Sequence, residues 1–163
     1  MKSEIKVFEE LEMVSVDWLK RAELFEALRE SQLNTLLSHS VVESYPEGKT
    51  IFKQEGEATR LYILVEGSVD LTVKAEKQID FMTSKIEKEG AVFGTGSLME
   101  PYRYNVSAIC VKPSTVLIME GEYLRRQMEE DPGMGMEIMK KLATIYFNRL
   151  NQLRMGVSGL LKK

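Results

Sequence analysis

From Val41 to Met119 the apolar residues recur at every second position in short runs, and each run ends at a glycine or proline turn. A period of two puts alternate side chains on one face of a β-strand, so such a chain must fold as several short strands rather than as helices. Val41–Tyr45 reads as a strand, Pro46-Glu47-Gly48-Lys49 as a tight turn, and Thr50–Phe52 as a second strand before Glu55-Gly56-Glu57. Leu61–Val65 is continuously apolar up to Glu66-Gly67, after which Val69, Leu71 and Val73 alternate with Asp70 and Thr72. Lys74–Gln78 is a charged hairpin tip from which Ile79–Ile86 pairs back, and Asn105–Val111 and Thr115–Met119 flank the turn Lys112-Pro113-Ser114. About eight short strands of this kind predict a β-roll or jelly roll.

Helical periodicity brackets this block, which makes the expected class α+β, mainly β. Asp17 is a candidate N-cap for a helix Trp18–Arg29, and Ser31 for a shorter one, Gln32–Ser38. Residues 1–16 form an N-terminal extension with loose amphipathic spacing, and 17–163 form the domain. After Gly121 a short helix runs to Glu130, and Asp131-Pro132 starts another, with proline in its first turn. In that last helix Met136, Met139, Ala143, Tyr146, Leu150, Leu153, Val157 and Leu160 follow alternating steps of three and four. This is an a/d seam over about four heptads. Ile138, Leu142, Ile145 and Phe147 widen the apolar surface beyond one seam: either the whole stripe is core of its own domain, or the helix packs on its domain with one face and pairs with another copy through the other. On the second reading residues from about 132 to 160 are the expected dimerisation helix.

Composition removes several function classes. A net charge of −3 gives no overall attraction to nucleic acid or to anionic membranes. Residues 1–17 lack the apolar core of a signal peptide, and no window reaches the apolar length of a membrane span, so the expected location is the cytoplasm. One histidine, His39, and one cysteine, Cys110, supply neither a multi-histidine metal site nor a nucleophile with its base and orienting group. Cys110 sits in the apolar run Val106–Val111 and reads as a buried thiol. No enzyme, metal site or membrane contact is expected.

The stretch Gly90–Ala108 carries what chemistry the sequence has. Gly94-Thr95-Gly96-Ser97 permits a sharp turn with backbone N–H groups close to another molecule, and Ser97–Glu100 makes one helical turn before Pro101. Arg103 can add a two-pronged contact to phosphate oxygens. The same residues also fit a plain β-turn followed by a surface arginine.

The whole order resembles the cyclic-nucleotide-binding domain family, which includes the catabolite activator proteins and the regulatory subunits of protein kinase A. The resemblance is carried by Leu24-Phe25 through Leu28, Tyr45-Pro46-Glu47-Gly48, Ile51-Phe52, Glu55-Gly56, Leu61–Leu64, Glu66-Gly67 and Val92-Phe93-Gly94, over roughly residues 18 to 155. It implies that the late insert holds the sugar-phosphate of cAMP or cGMP and that the long helix caps the base and forms the dimer seam. Gly94, Thr95, Gly96, Ser97, Arg103 and Tyr104 are then the candidate ligand-binding residues, with Arg103 as the phosphate arginine. Thr144 and Asn148, with Gln152, are the candidates to face the base; they equally fit the solvated side of the helix.

The sequence departs from the family at one decisive place: Thr95 stands where the resemblance expects a glutamate for the ribose hydroxyl, and Tyr104 and Asn105 replace small residues. Loss of a hydrogen bond to a charged group costs about 1.5–3 kcal/mol, or roughly ten- to a hundredfold in affinity. Three readings follow: a non-enzymatic regulatory module whose pocket takes an altered nucleotide or another small anion, a functional cAMP or cGMP receptor, and a ligand-free protein-interaction module. Family transcription factors continue into a helix-turn-helix domain; the given sequence ends with the long helix, and no DNA-binding domain is expected in it.

Overall fold

The computed structural model describes residues 14–74 and 80–162. The extension read over residues 1–16 lies almost wholly outside the described residues, as does the hairpin tip read over 74–78. Among the described residues eight antiparallel strands form two four-stranded sheets. One sheet has the order β1 (Ser40–Tyr45), β8 (Ser114–Glu120), β3 (Arg60–Glu66), β6 (Val92–Phe93); the other has β2 (Thr50–Phe52), β7 (Ser107–Cys110), β4 (Val69–Lys74), β5 (Asp80–Ile86). Among the described residues four helices flank them: α1 (Val16–Arg21), α2 (Glu30–Ser38), α3 (Gly121–Glu130) and α4 (Pro132–Leu161). The expected mainly-β class and its roll are what the chain adopts.

The strand pattern explains the layering. In β3 and β8 both faces are apolar because both are covered. Tyr62, Leu64, Val116 and Ile118 point between the sheets and meet Phe52, Val69, Leu71, Ala108 and Cys110. Leu61, Ile63, Leu117 and Met119 point the other way, into a second cluster shared with the helices. In β4, half-buried Asp70 and Thr72 alternate with buried Val69 and Leu71, so one face alone is in the core.

The first helix is shorter than its periodicity suggests. It ends at Arg21, and Ser15, not Asp17, caps it by accepting from Trp18 N at 3.1 Å. Ala22 turns extended, and Glu23 N donates to Gly90 O at 3.1 Å, so the contact to the Gly90 turn ends the helix. Residues 22–28 continue as tight turns, with Leu24, Phe25 and Leu28 still buried. The second helix begins at Glu30 rather than at Gln32, because Gln32 Oε1 accepts from Arg29 N at 2.9 Å and fixes the earlier start.

The long helix has two apolar faces, but Phe147, read with Ile138, Leu142 and Ile145, is exposed rather than packed on the domain. Met134, Ile138, Leu142 and Ile145, spaced four, four and three apart, are buried in the cluster that holds Trp18, Leu19, Phe25 and Leu33. Burying side chains of that size stabilises by about 1.5–3 kcal/mol each. Asp131 starts the helix by accepting from Met134 N at 3.2 Å, and Gln32 Nε2 donates to its other oxygen at 2.7 Å, joining α2 to α4. Lys141 pairs with Glu26. On the other face Met136, Met139, Leu150, Leu153, Val157 and Leu160 are exposed. No helix among the described residues is long and apolar enough to cross a membrane.

Candidate functional site

A cavity of about 500 Å³ opens between the rims of both sheets and the middle of α4. Strands contribute Phe52, Leu71, Val73 and Phe93; the segment after Phe93 contributes Gly94, Thr95 and Gly96; the chain entering β7 contributes Tyr104, Asn105 and Val106. From α4 come Tyr146, Arg149, Leu150, Gln152 and Leu153, one stripe at helical spacing.

The glycine turn is shaped by close packing. Gly94 has φ +73°, and a Cβ there would lie 2.9 Å from both Arg60 O and Tyr62 Cδ2. A Cβ on Gly96 would lie 2.5 Å from Arg103 O. Only glycine lets this turn sit against β3 on one side and the Arg103 backbone on the other. A 3-10 turn, Thr95–Leu98, follows, starting two residues earlier than the helical turn read from the sequence. Ser97 is fully buried behind the cavity wall and donates to Gly94 O at 2.9 Å.

Phe52, Phe93 and Tyr104 form the floor, with Tyr62 packed behind them. Tyr104 stacks on Phe52 at 3.8 Å between ring centres, and Tyr62 on Phe93 at 5.2 Å. The Tyr104 hydroxyl donates to Arg60 O at 2.9 Å and accepts from Arg60 N at 3.1 Å, so it is tied to β3 at both its donor and its acceptor. Burial raises the Tyr104 and Tyr62 hydroxyl pKa values above the ordinary phenol value.

The positive charge at the cavity comes from the helix. Arg149 Nη2 donates to Val92 O at 3.2 Å, across the edge of β6. Beside it, the hydroxyls of Thr95 and Tyr146 lie 2.5 Å apart. Among the described residues lining the cavity there is no carboxylate and no cation other than Arg149. Arg149, half-buried, is thus the one formal charge among the described lining residues.

Of the residues singled out from sequence, the cavity wall brings together Gly94, Thr95, Gly96 and Tyr104. Arg103 lies outside that wall: it is exposed, and its Nη1 donates to Glu55 O at 2.8 Å, holding the Glu55-Gly56 turn. Thr144 and Asn148 line a separate, smaller pocket of about 250 Å³ with Glu26, Lys88 and Lys141, and Thr144 donates to Lys140 O. Gln152 does reach the main cavity. Arg149 went unnoticed in the sequence. Its signal was its place three residues after Tyr146 and four before Leu153, a cation inside an otherwise apolar stripe.

The profile of the cyclic nucleotide-binding domain matches residues 42–131. A crystal structure from Geobacter metallireducens GS-15, described as a candidate cyclic nucleotide-binding protein, superposes with a TM-score of 0.74 at 31% identity, covering 84% of this chain and 98% of that one. Among curated proteins, the global nitrogen regulator of Synechococcus elongatus is 27% identical over 121 residues, 73% of this chain and 52% of its own length. The CRP-like cAMP-activated global transcriptional regulator of Mycobacterium tuberculosis is 24% identical over 125 residues, 77% of this chain and 55% of its own. The chain spans about half the length of these curated relatives.

Proposed function

The chain belongs to the cyclic nucleotide-binding domain family, and from that premise we propose that it is a non-enzymatic sensory module. Its cavity takes a small anion in place of cAMP or cGMP, and its long helix pairs with that of a second copy. The observation that carries this reading is that Leu150 and Leu153 belong both to the cavity wall and to the exposed apolar face of α4. A ligand that moves this part of the helix changes the surface offered to the partner, so binding and pairing share one free energy.

Altered ligand preference rests on three placements. Thr95, where the family resemblance expects a carboxylate, points its hydroxyl at Tyr146. Arg103 is held on Glu55 O. The Tyr104 ring occupies the floor, stacked on Phe52. That buried ring also favours a second reading, in which the roll fills its own cavity and acts through protein contacts alone.

Calorimetric titration of the whole chain with cAMP and cGMP tests the proposal, with Arg103→Ala and Arg149→Gln beside the wild type. No saturable heat with either nucleotide at millimolar concentration is the expected result. Micromolar binding abolished by Arg103→Ala would make the protein an ordinary cyclic nucleotide receptor and overturn the altered-ligand reading.

A further inference from the structure

We propose that the ligand is a planar, largely apolar monoanion, such as an aromatic carboxylate or sulfonate, whose charge rests on Arg149. This builds on the preceding reading of the cavity as a ligand site and names the chemistry of its occupant. At about 500 Å³ the space matches an organic molecule of two or three fused or linked rings. The rings of Phe52, Phe93 and Tyr104, with Leu71, Val73 and Val106, offer flat apolar surface for stacking.

The polar groups argue against a sugar. Both the donor and the acceptor of the Tyr104 hydroxyl are engaged by Arg60. Thr95 and Tyr146 are engaged with each other. Tyr104 has no O–H left to give a ligand, and the Thr95–Tyr146 pair has one, so these three hydroxyls offer a sugar a single donor between them. Ser84, Asn105 and Gln152 are enough to orient a ligand.

The charge count follows from Arg149. Its guanidinium carries five N–H donors, and Val92 O accepts one of them. A single anionic group balances it; a dianion would leave negative charge uncompensated against the aromatic floor. The partner cation thus comes from α4, whereas Arg103 serves the Glu55 turn.

The test uses a pair of dyes that share an anilinonaphthalene skeleton. 8-Anilinonaphthalene-1-sulfonate carries one negative charge; N-phenyl-1-naphthylamine is the neutral counterpart. Fluorescence titrations of the whole chain are run on wild type, Arg149→Gln, Arg103→Ala and Val106→Trp, the last narrowing the cavity. Both dyes are expected to bind at one site per chain and to displace each other. Arg149→Gln should weaken the sulfonate about tenfold or more and leave the neutral dye within about twofold; Arg103→Ala should change neither.

Val106→Trp should weaken both dyes. If Arg149→Gln spares the sulfonate, or Arg103→Ala weakens it instead, the assignment to Arg149 is overturned while the cavity stands as a site. If Val106→Trp folds, by circular dichroism, and leaves both dyes unchanged, the cavity is no ligand site and the underlying reading falls with it. Failure of the dyes to displace each other would overturn the single-site assignment independently of that variant.

Discussion

The hydroxyl of Thr95, in the turn after Phe93, lies 2.5 Å from the hydroxyl of Tyr146, in the middle of the long helix. With the Arg149–Val92 bond at 3.2 Å, it forms a polar link between the cavity rim and α4, beside the apolar packing. Removing one partner leaves the other unpaired. Tyr146→Phe is expected to destabilise the fold by about 1–3 kcal/mol, because Thr95, 5% exposed, keeps a hydroxyl that water barely reaches. Thr95→Val combined with Tyr146→Phe should recover part of that loss. Urea denaturation of the two single variants and the double variant checks the coupling; strictly additive effects would show that the two hydroxyls act independently.

Gly94→Ala separates the packing role of the turn from any binding role. At φ +73° an alanine is strained, and its methyl would lie 2.9 Å from the Arg60 backbone. The expected cost is at least about 1 kcal/mol from conformation, with more from the clash. Gly48, also at positive φ (+84°) but with nothing within 4 Å of where an alanine methyl would sit, serves as the reference position. Thermal unfolding of Gly94→Ala and Gly48→Ala should rank the first as clearly less stable.

How legible was this in the sequence? Strand positions and class were readable because short apolar runs ended at turn residues, and β2, β3 and β4 lie where those runs put them. Helix ends were less so: α1 stops where Glu23 meets Gly90, a contact between segments far apart in the chain that no local pattern records. The site divides in the same way. Gly94 and Thr95 could be found because they sit in a recognisable phrase, but the directions of the Arg103 and Arg149 side chains depend on the Glu55 carbonyl and the edge of β6. The registers of the two apolar faces of α4 were readable; that Tyr146 turns from the seam toward Thr95 was not.

The exposed face of α4 sets a prediction about assembly. Leu153, Val157 and Leu160 are 56%, 56% and 73% exposed, a contiguous apolar stripe at a/d spacing. On the proposed reading, pairing with a second copy covers it. Sedimentation equilibrium is expected to give a dimer for the wild type and a monomer for Val157→Glu with Leu160→Glu, both of which lie beyond the cavity lining. A monomeric wild type at tens of micromolar would remove the second copy from the proposed mechanism.

Asp131 gives a pH dependence with a defined sign. Its carboxylate accepts from Gln32 Nε2 at 2.7 Å and from Met134 N, and these bonds hold its pKa below the ordinary carboxylate value, the Gln32 bond foremost. A group whose folded pKa is depressed stabilises the fold above its unfolded pKa, near 4 for an aspartate, and that contribution fades as pH falls through the folded value. The joint between α2 and α4 should therefore weaken in acid. Asp131→Asn should lower the melting temperature at pH 7 and differ less from wild type at about pH 3, below the unfolded-chain pKa, where the carboxylate's contribution is already fading. Calorimetric melting curves of both proteins across this range test the sign; a gap that widens in acid would mean that Asp131 does not hold the start of α4 as a carboxylate.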